Sequence, residues 1–199
     1  LVLIPGLAFA KIPDKINLDG VWKIQLSGIR QDSEINLPST TDMARLGTPL
    51  DSASMSDDEK YRRLARSFSY IGPAVYSREV EITPEIAGKP LELTLERVIW
   101  KSTAKLGGMA ANDTLYSLVS PHRHIFSKGL KAGKHLLEVE IDNSRQYDIS
   151  TGNLAHSYTN DTQTMWNGIL GEISLRAIPE IDVDRIEVHT VANGDSVYI

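Results

Sequence analysis

Apolar residues recur at every second position through most of this chain. The clearest stretches are Leu91-Glu92-Leu93-Thr94-Leu95-Glu96 and Leu137-Glu138-Val139-Glu140-Ile141-Asp142, each with three aliphatics on one face and polar groups on the other. A period of two marks a strand with one buried and one wetted side. Such strands belong to antiparallel sandwiches, because parallel sheets are covered on both faces and need continuous apolar runs. Residues 21–26, 76–82, 173–176 and 186–190 supply further strands, and turn chemistry separates them at Gly88-Lys89-Pro90, Gly107-Gly108, Lys131-Ala132-Gly133 and Asn193-Gly194-Asp195. One short polar helix is expected where Ser56-Asp57-Asp58-Glu59 offers an N-cap with Glu three residues on, ahead of residues 60–65. The pattern predicts an all-β antiparallel sandwich of jelly-roll type.

Composition narrows the function classes. At 199 residues, 41% hydrophobic and 24% charged, the chain suits one globular domain, or one domain and a fragment of the next. A net charge of −5 without a run of Lys or Arg argues against nucleic acid and anionic membranes as partners. The absence of Cys excludes disulfide scaffolds, thiolate metal sites and a Cys nucleophile. Residues 1–10 are nearly all apolar and close on Ala8-x-Ala10, as the remnant of a secretory signal does, which implies a periplasmic or secreted protein. The run has half the roughly 20 residues a membrane span requires. A break at Ala177-Ile178-Pro179-Glu180 divides a main domain, residues 11–179, from a tail, residues 180–199, that reads as the start of a second domain.

Little in the sequence carries reaction chemistry. No Gly-x-Ser-x-Gly elbow and no phosphate-binding glycine loop occurs. Every Asp and Glu falls on an outward strand position or in a turn, so no acid–base pair stands out. His122-Arg123-His124 places two imidazoles on one strand face, which suits either a metal awaiting a third ligand or, more simply, a polar strand face. Asp142-Asn143 could lend two oxygens to a calcium site that needs at least six, and Asn112-Asp113-Thr114 and Asn160-Asp161-Thr162 are glycosylation sequons suited to exposed loops. Neither a cofactor nor a metal is expected. The distinctive stretch is residues 156–171, a long polar loop that ends in Gln163, Thr164, Met165, Trp166, Asn167 and Gly168. An exposed Trp beside amides and hydroxyls is a sugar platform; the same Trp turned inward would cap the core.

Those last residues also carry a resemblance. Trp166-Asn167-Gly168-Ile169-Leu170-Gly171-Glu172-Ile173-Ser174-Leu175 resembles the closing motif of the N-terminal sugar-binding domain of glycoside hydrolase family 2, which holds β-galactosidases, β-glucuronidases and β-mannosidases. Further landmarks are similar and stand in the same order: Leu18-x-Gly20-x-Trp22, Leu37-Pro38-Ser39-Thr40-Thr41-Asp42, the stretch from Tyr70 and Gly72 to Tyr76 and Arg78, Glu96-Arg97-Val98, Pro121-His122, and Leu130-x-x-Gly133-x-His135 before Asn143. The match spans residues 17–178. Where the β-galactosidase branch carries an Asp before Met-Trp, this chain has Thr164, and Gly107-Gly108 replaces the family's Asn-Gly turn.

The resemblance implies a non-catalytic jelly roll followed by an immunoglobulin-like domain, begun in residues 180–199, and a TIM barrel. In this family the barrel holds the two glutamates of a retaining β-glycosidase, about 5–5.5 Å apart. It further implies that Gln163, Thr164, Trp166 and Asn167 reach the rim of the barrel's pocket and meet carbohydrate. A stand-alone carbohydrate-binding module and a structural or adhesion sandwich are the alternatives.

Overall fold

A computed structural model describes residues 15–29, 32–51, 53–62, 66–147, 165–180, 187–193 and 196–198. The expected signal remnant, Gln163, Thr164 and the second sequon lie outside the described residues. In chain order the elements are β1 (Lys15–Asn17), β2 (Gly20–Leu26), β3 (Ser33–Leu37), β4 (Ser39–Thr40), β5 (Thr48–Pro49), α1 (Asp57–Arg62), β6 (Phe68–Ser69), β7 (Pro73–Ile82), β8 (Leu91–Arg97) and β9 (Lys101–Leu106). There follow β10 (Met109–Ala110), β11 (Leu115–Tyr116), β12 (His122–Phe126), β13 (Gly133–Asp142), β14 (Gly168–Ala177), β15 (Val191–Asn193) and β16 (Ser196–Tyr198).

The strands pair antiparallel into two principal sheets. One runs β1-β14-β8-β12 with β4 beside β14, and the other runs β10-β9-β13-β7-β2-β3 with β11 beside β9. Alternation sends Trp22, Ile24, Tyr76, Leu137, Val139 and Ile141 of the larger sheet inward, where they form one buried cluster with Leu91, Leu93, Leu95, Phe126, Ile173 and Leu175 of the smaller one. The chain is therefore an all-β jelly-roll sandwich, its two sheets held by apolar burial.

Local chemistry sets several boundaries. Ser56 and Glu59 form the reciprocal cap of α1: the Glu59 N–H donates to Ser56 Oγ (3.3 Å) and Glu59 Oε2 accepts from the Ser56 N–H (2.8 Å). Gly107 and Gly108 both take positive φ (57° and 80°), as a tight primed turn needs, and Leu106 pairs with Met109 across them. At the entrance to the sandwich, the Trp22 indole N–H donates to the Leu18 carbonyl at 2.8 Å. The Arg78 guanidinium lies over that indole, 5.5 Å from the ring, and donates to the same carbonyl at 2.6 Å.

Three expectations require correction. Residues 122–126 form a strand, yet His122 and His124 point into the protein and are each 1% exposed, because they pair with the core positions Leu95 and Leu93. Glu92 lies on the outer face but is buried rather than solvated; the Arg176 guanidinium beside it on that face donates to it at 2.9 Å, which compensates its burial. Residues 187–190 form no strand; pairing begins at Val191 instead, in a hairpin whose innermost pair is Asn193 and Ser196. Val191 with Tyr198 is the outermost pair of that hairpin among the described residues, and no described strand pairs with residues 187–190.

Candidate functional site

One end of the sandwich gathers the segments singled out by the sequence. Residues 165–167 arrive there just before β14, residues 41–46 just after β4, residues 70–72 just before β7, and residues 143–147 just after β13. The backbone ties them together: the Thr41 N–H donates to the Asn167 carbonyl at 2.8 Å, and β4 pairs with the start of β14 through Thr40 and Gly168. A side chain at Gly168 would place its Cβ 2.4 Å from the Ser39 carbonyl oxygen, so only glycine allows this approach.

Asn167 organises the floor. Its side chain is fully buried; Oδ1 accepts from the Tyr76 hydroxyl at 2.6 Å, and Nδ2 donates toward the carbonyls of Gly72 (3.0 Å) and Ile141 (3.3 Å) and toward Asn143 Oδ1 (3.1 Å). Asn143, equally buried, accepts from the Gly72 N–H at 2.9 Å and donates to the Tyr70 carbonyl at 2.9 Å. Burial pushes the Tyr76 phenol far above its usual range, so it remains a neutral donor at any physiological pH. The carboxamide of Asn167 is thus committed to the protein. In this arrangement it positions the segment and offers nothing outward, unlike the sugar-facing group expected from the sequence. Asn143, considered above for calcium, is committed in the same way, while Asp142 accepts from the Ser144 N–H at 2.9 Å in a local turn.

Trp166 points the other way. It is half-buried, packed with Met165 and Leu118 against a small apolar cluster made by Ile99 and Trp100. This is neither of the two extremes the sequence left open: part of the indole rests on protein and part reaches water. The aromatic surface continues beyond it. Trp100 meets Tyr147 with ring centroids 6.2 Å apart, and Tyr147 meets Tyr116 at 5.8 Å; Tyr147 and Tyr116 are 55% and 46% exposed. The exposed apolar residues Met43, Ile71 and Val119 lie on loops of the same end.

A buried arginine completes the setting. Arg66 is 9% exposed and reaches toward the Met165 carbonyl (3.4 Å) beside Trp166. Asp42 fixes the backbone that carries it, since Asp42 Oδ1 accepts from the N–H groups of Ser67 (2.9 Å) and Phe68 (2.8 Å). Trp100, Tyr116, Tyr147 and Arg66 all escaped notice, because their meeting depends on contacts between segments far apart in the chain.

Chemically this end can stack against an apolar face and hydrogen-bond at its edge. Among the described residues no group of three or more His, Cys, Asp or Glu could hold a metal ion, and no helix is long and apolar enough to cross a membrane.

No protein-family model matches this chain, and no curated protein matches it by sequence. Its fold does match solved structures. A family 2 β-galacturonidase from Eisenbergiella tayi, bound to galacturonate, is similar over 94% of this chain and 28% of its own length, with a TM-score of 0.64 and 22% identity. The β-glucuronidase of Ruminococcus gnavus is similar over 94% of this chain and 33% of its own length (TM-score 0.66, 18% identity). The β-D-glucuronidase of Dictyoglomus thermophilum gives 94% and 32% (TM-score 0.65, 15% identity). This chain therefore has the jelly-roll fold found in those enzymes and spans about a third of their length.

Proposed function

We propose that this chain is the non-catalytic N-terminal sugar-binding-type domain of a secreted or periplasmic family 2 β-glycosidase. The observation that carries the proposal is coverage: 94% of this chain aligns in fold with about a third of each glycosidase, as one domain of a multidomain enzyme would. The ordered landmarks across residues 17–178 agree with it. In this reading an immunoglobulin-like domain and a catalytic barrel complete the parent protein, and β-linked carbohydrate is its substrate. Trp166 contributes an apolar platform at the rim of the barrel's pocket, with Gln163 and Thr164 in the preceding loop and Arg66 behind it. Asn167 holds that platform in place from within. Neither nucleic acid nor a membrane is a partner.

The first test is an assay of the 199-residue chain against 4-nitrophenyl β-glucuronide, β-galacturonide, β-galactoside and β-mannoside. No turnover above a buffer control is expected, since both catalytic glutamates reside elsewhere. Turnover that survives purification to homogeneity and disappears on substitution of a carboxylate in this chain would overturn the assignment.

A further inference from the structure

The least expected feature lies outside that site, where β12 of one sheet faces β9 of the other. Ser102 Oγ stands 2.6 Å from His122 Nδ1 and 2.8 Å from His124 Nε2, and all three side chains are 1% exposed. The outer nitrogens, His122 Nε2 and His124 Nδ1, are buried and meet no hydrogen-bonding partner. Each neutral imidazole carries one N–H and the hydroxyl carries one O–H. The hydroxyl donates to one ring, so the other ring must turn its single N–H inward onto Oγ. That ring's outer nitrogen is left as a bare buried acceptor, which costs free energy. One additional proton would put an N–H on both nitrogens of one ring, but it would place a cation in an apolar interior.

The segment from residue 111 to residue 121 covers this trio. Its ties to the sandwich are the Ala111 N–H to the Ala104 carbonyl (2.9 Å), the Asn112 N–H to the Ile125 carbonyl (3.0 Å), the Ser127 hydroxyl to Asn112 Oδ1 (2.9 Å), the Ser117 N–H to the Trp100 carbonyl (2.9 Å), and the short pairing of β11 with β9, in which Leu115 lies opposite Ser102 itself; all but the last two gather at its first two residues. The same segment delivers Tyr116 and Leu118 to the aromatic end. We propose that His122, Ser102 and His124 form a proton-operated latch beneath residues 111–121, and that protonation of the pair releases this segment from the aromatic end while the sandwich stays folded.

The surroundings favour opening over accommodation of the charge. Inward positions next to the pair are Leu91, Leu93 and Leu95 on β8, Ala104 and Leu106 on β9, and Val139 and Ile141 on β13, all buried and apolar. Most charged groups on these elements occupy the other face of each sheet: Glu92, Glu96 and Arg123 on one, Lys101, Lys105, Glu138, Glu140 and Asp142 on the other; Arg97 and His135 share the inward phase, Arg97 exposed at the end of β8 and His135 half-buried near the start of β13. On the covering segment, Asp113 and Tyr116 have exposed side chains, and the Ser117 and Asp113 backbones favour the charged forms of His122 and His124, against the larger opposing effect of burial. Burial dominates and lowers both imidazoles, with His124 lowered further by His122, whose ring is 6.4 Å away. A ring that must be charged is therefore best relieved by letting water in, and the covering segment is the least-tethered path.

Amide hydrogen exchange on the 199-residue chain from pH 7.5 to 4.5, corrected for intrinsic rates, reads the latch directly. Protection of residues 111–121 should fall at least tenfold more than that of β13, and histidine ring 15N shifts should show both imidazoles neutral at pH 6.5. In His124→Gln the extra loss should shrink below threefold. Protection of 111–121 that tracks β13 at every pH overturns the proposal, as do rings that titrate like free imidazole. The wild-type comparison stands alone if His124→Gln fails to fold.

Discussion

Trp166 and Asn167 are neighbours in sequence and opposites in the structure. Just ahead of β14, Trp166 stays half-buried on the Ile99 and Trp100 cluster while Asn167 is fully buried, held there by Tyr76, 91 residues earlier, whose hydroxyl claims Asn167 Oδ1. Asn167→Ala would leave that hydroxyl and the Gly72 and Ile141 carbonyls short of a partner, along with a small cavity. A loss of about 2–4 kcal/mol is expected, read as a fall in melting temperature of roughly 10 °C. The two histidines give a second expectation at this scale. Burial lowers the folded-state pKa of His124 to about 4, against about 6.5 in the unfolded chain. Stability is therefore full above pH 6.5 and declines as pH falls toward 4, by about 3 kcal/mol from His124 alone. Urea titrations at pH 7.5 and 4.5 check this, and His124→Phe should flatten the difference. The sequence showed that residues 163–167 were unusual and which types were present. It could not show which of them faced water, since the deciding partner is distant.

Elements whose causes are local were legible. The cap of α1 is a three-residue spacing, and the strand alternation of β8 and β13 is visible in six residues each. The inward turn of β12 was not legible, because a strand bearing two histidines looks solvent-facing until Ser102, 20 and 22 residues earlier, supplies their hydrogen bonds. The burial of Glu92 on the outer face is hidden for a similar reason: its partner Arg176 lies 84 residues away on β14. Junctions between elements are where the site is most sensitive. Gly168→Ala would drive a Cβ into the Ser39 carbonyl, and backbone cannot yield as a flexible side chain can. A cost of about 2 kcal/mol or more is expected in thermal unfolding, with separation of β4 from β14 and reduced exchange protection at Thr40 and Ile169. Gly171 offers a contrast. A Cβ there would meet the carboxylate end of Glu96, which can move aside only by giving up the hydrogen bond it accepts from the Glu172 N–H (2.6 Å), so that bond and the positive φ of 72° both resist substitution and Gly171→Ala should cost about 2 kcal/mol.

At the scale of the whole molecule, the two-sheet architecture and the course of the chain followed from period-two patterning and ordered landmarks, while the assembly of the aromatic end required the fold. Trp100, Tyr116, Tyr147 and Trp166 come from four separate stretches and meet only because β9, β11, β13 and β14 terminate at or pass the same end. The role proposed for this aromatic end is to shape access to a pocket of the parent enzyme. The direct test is steady-state kinetics of Trp166→Ala in the multidomain enzyme proposed as the parent, alongside its melting curve. The account predicts a KM for aryl β-glycoside raised about tenfold, kcat changed less than threefold, and a melting temperature within 2 °C of wild type, as expected when binding is lost and chemistry is not. An unchanged KM with an intact fold would contradict it, and would return Trp166 to a purely structural role.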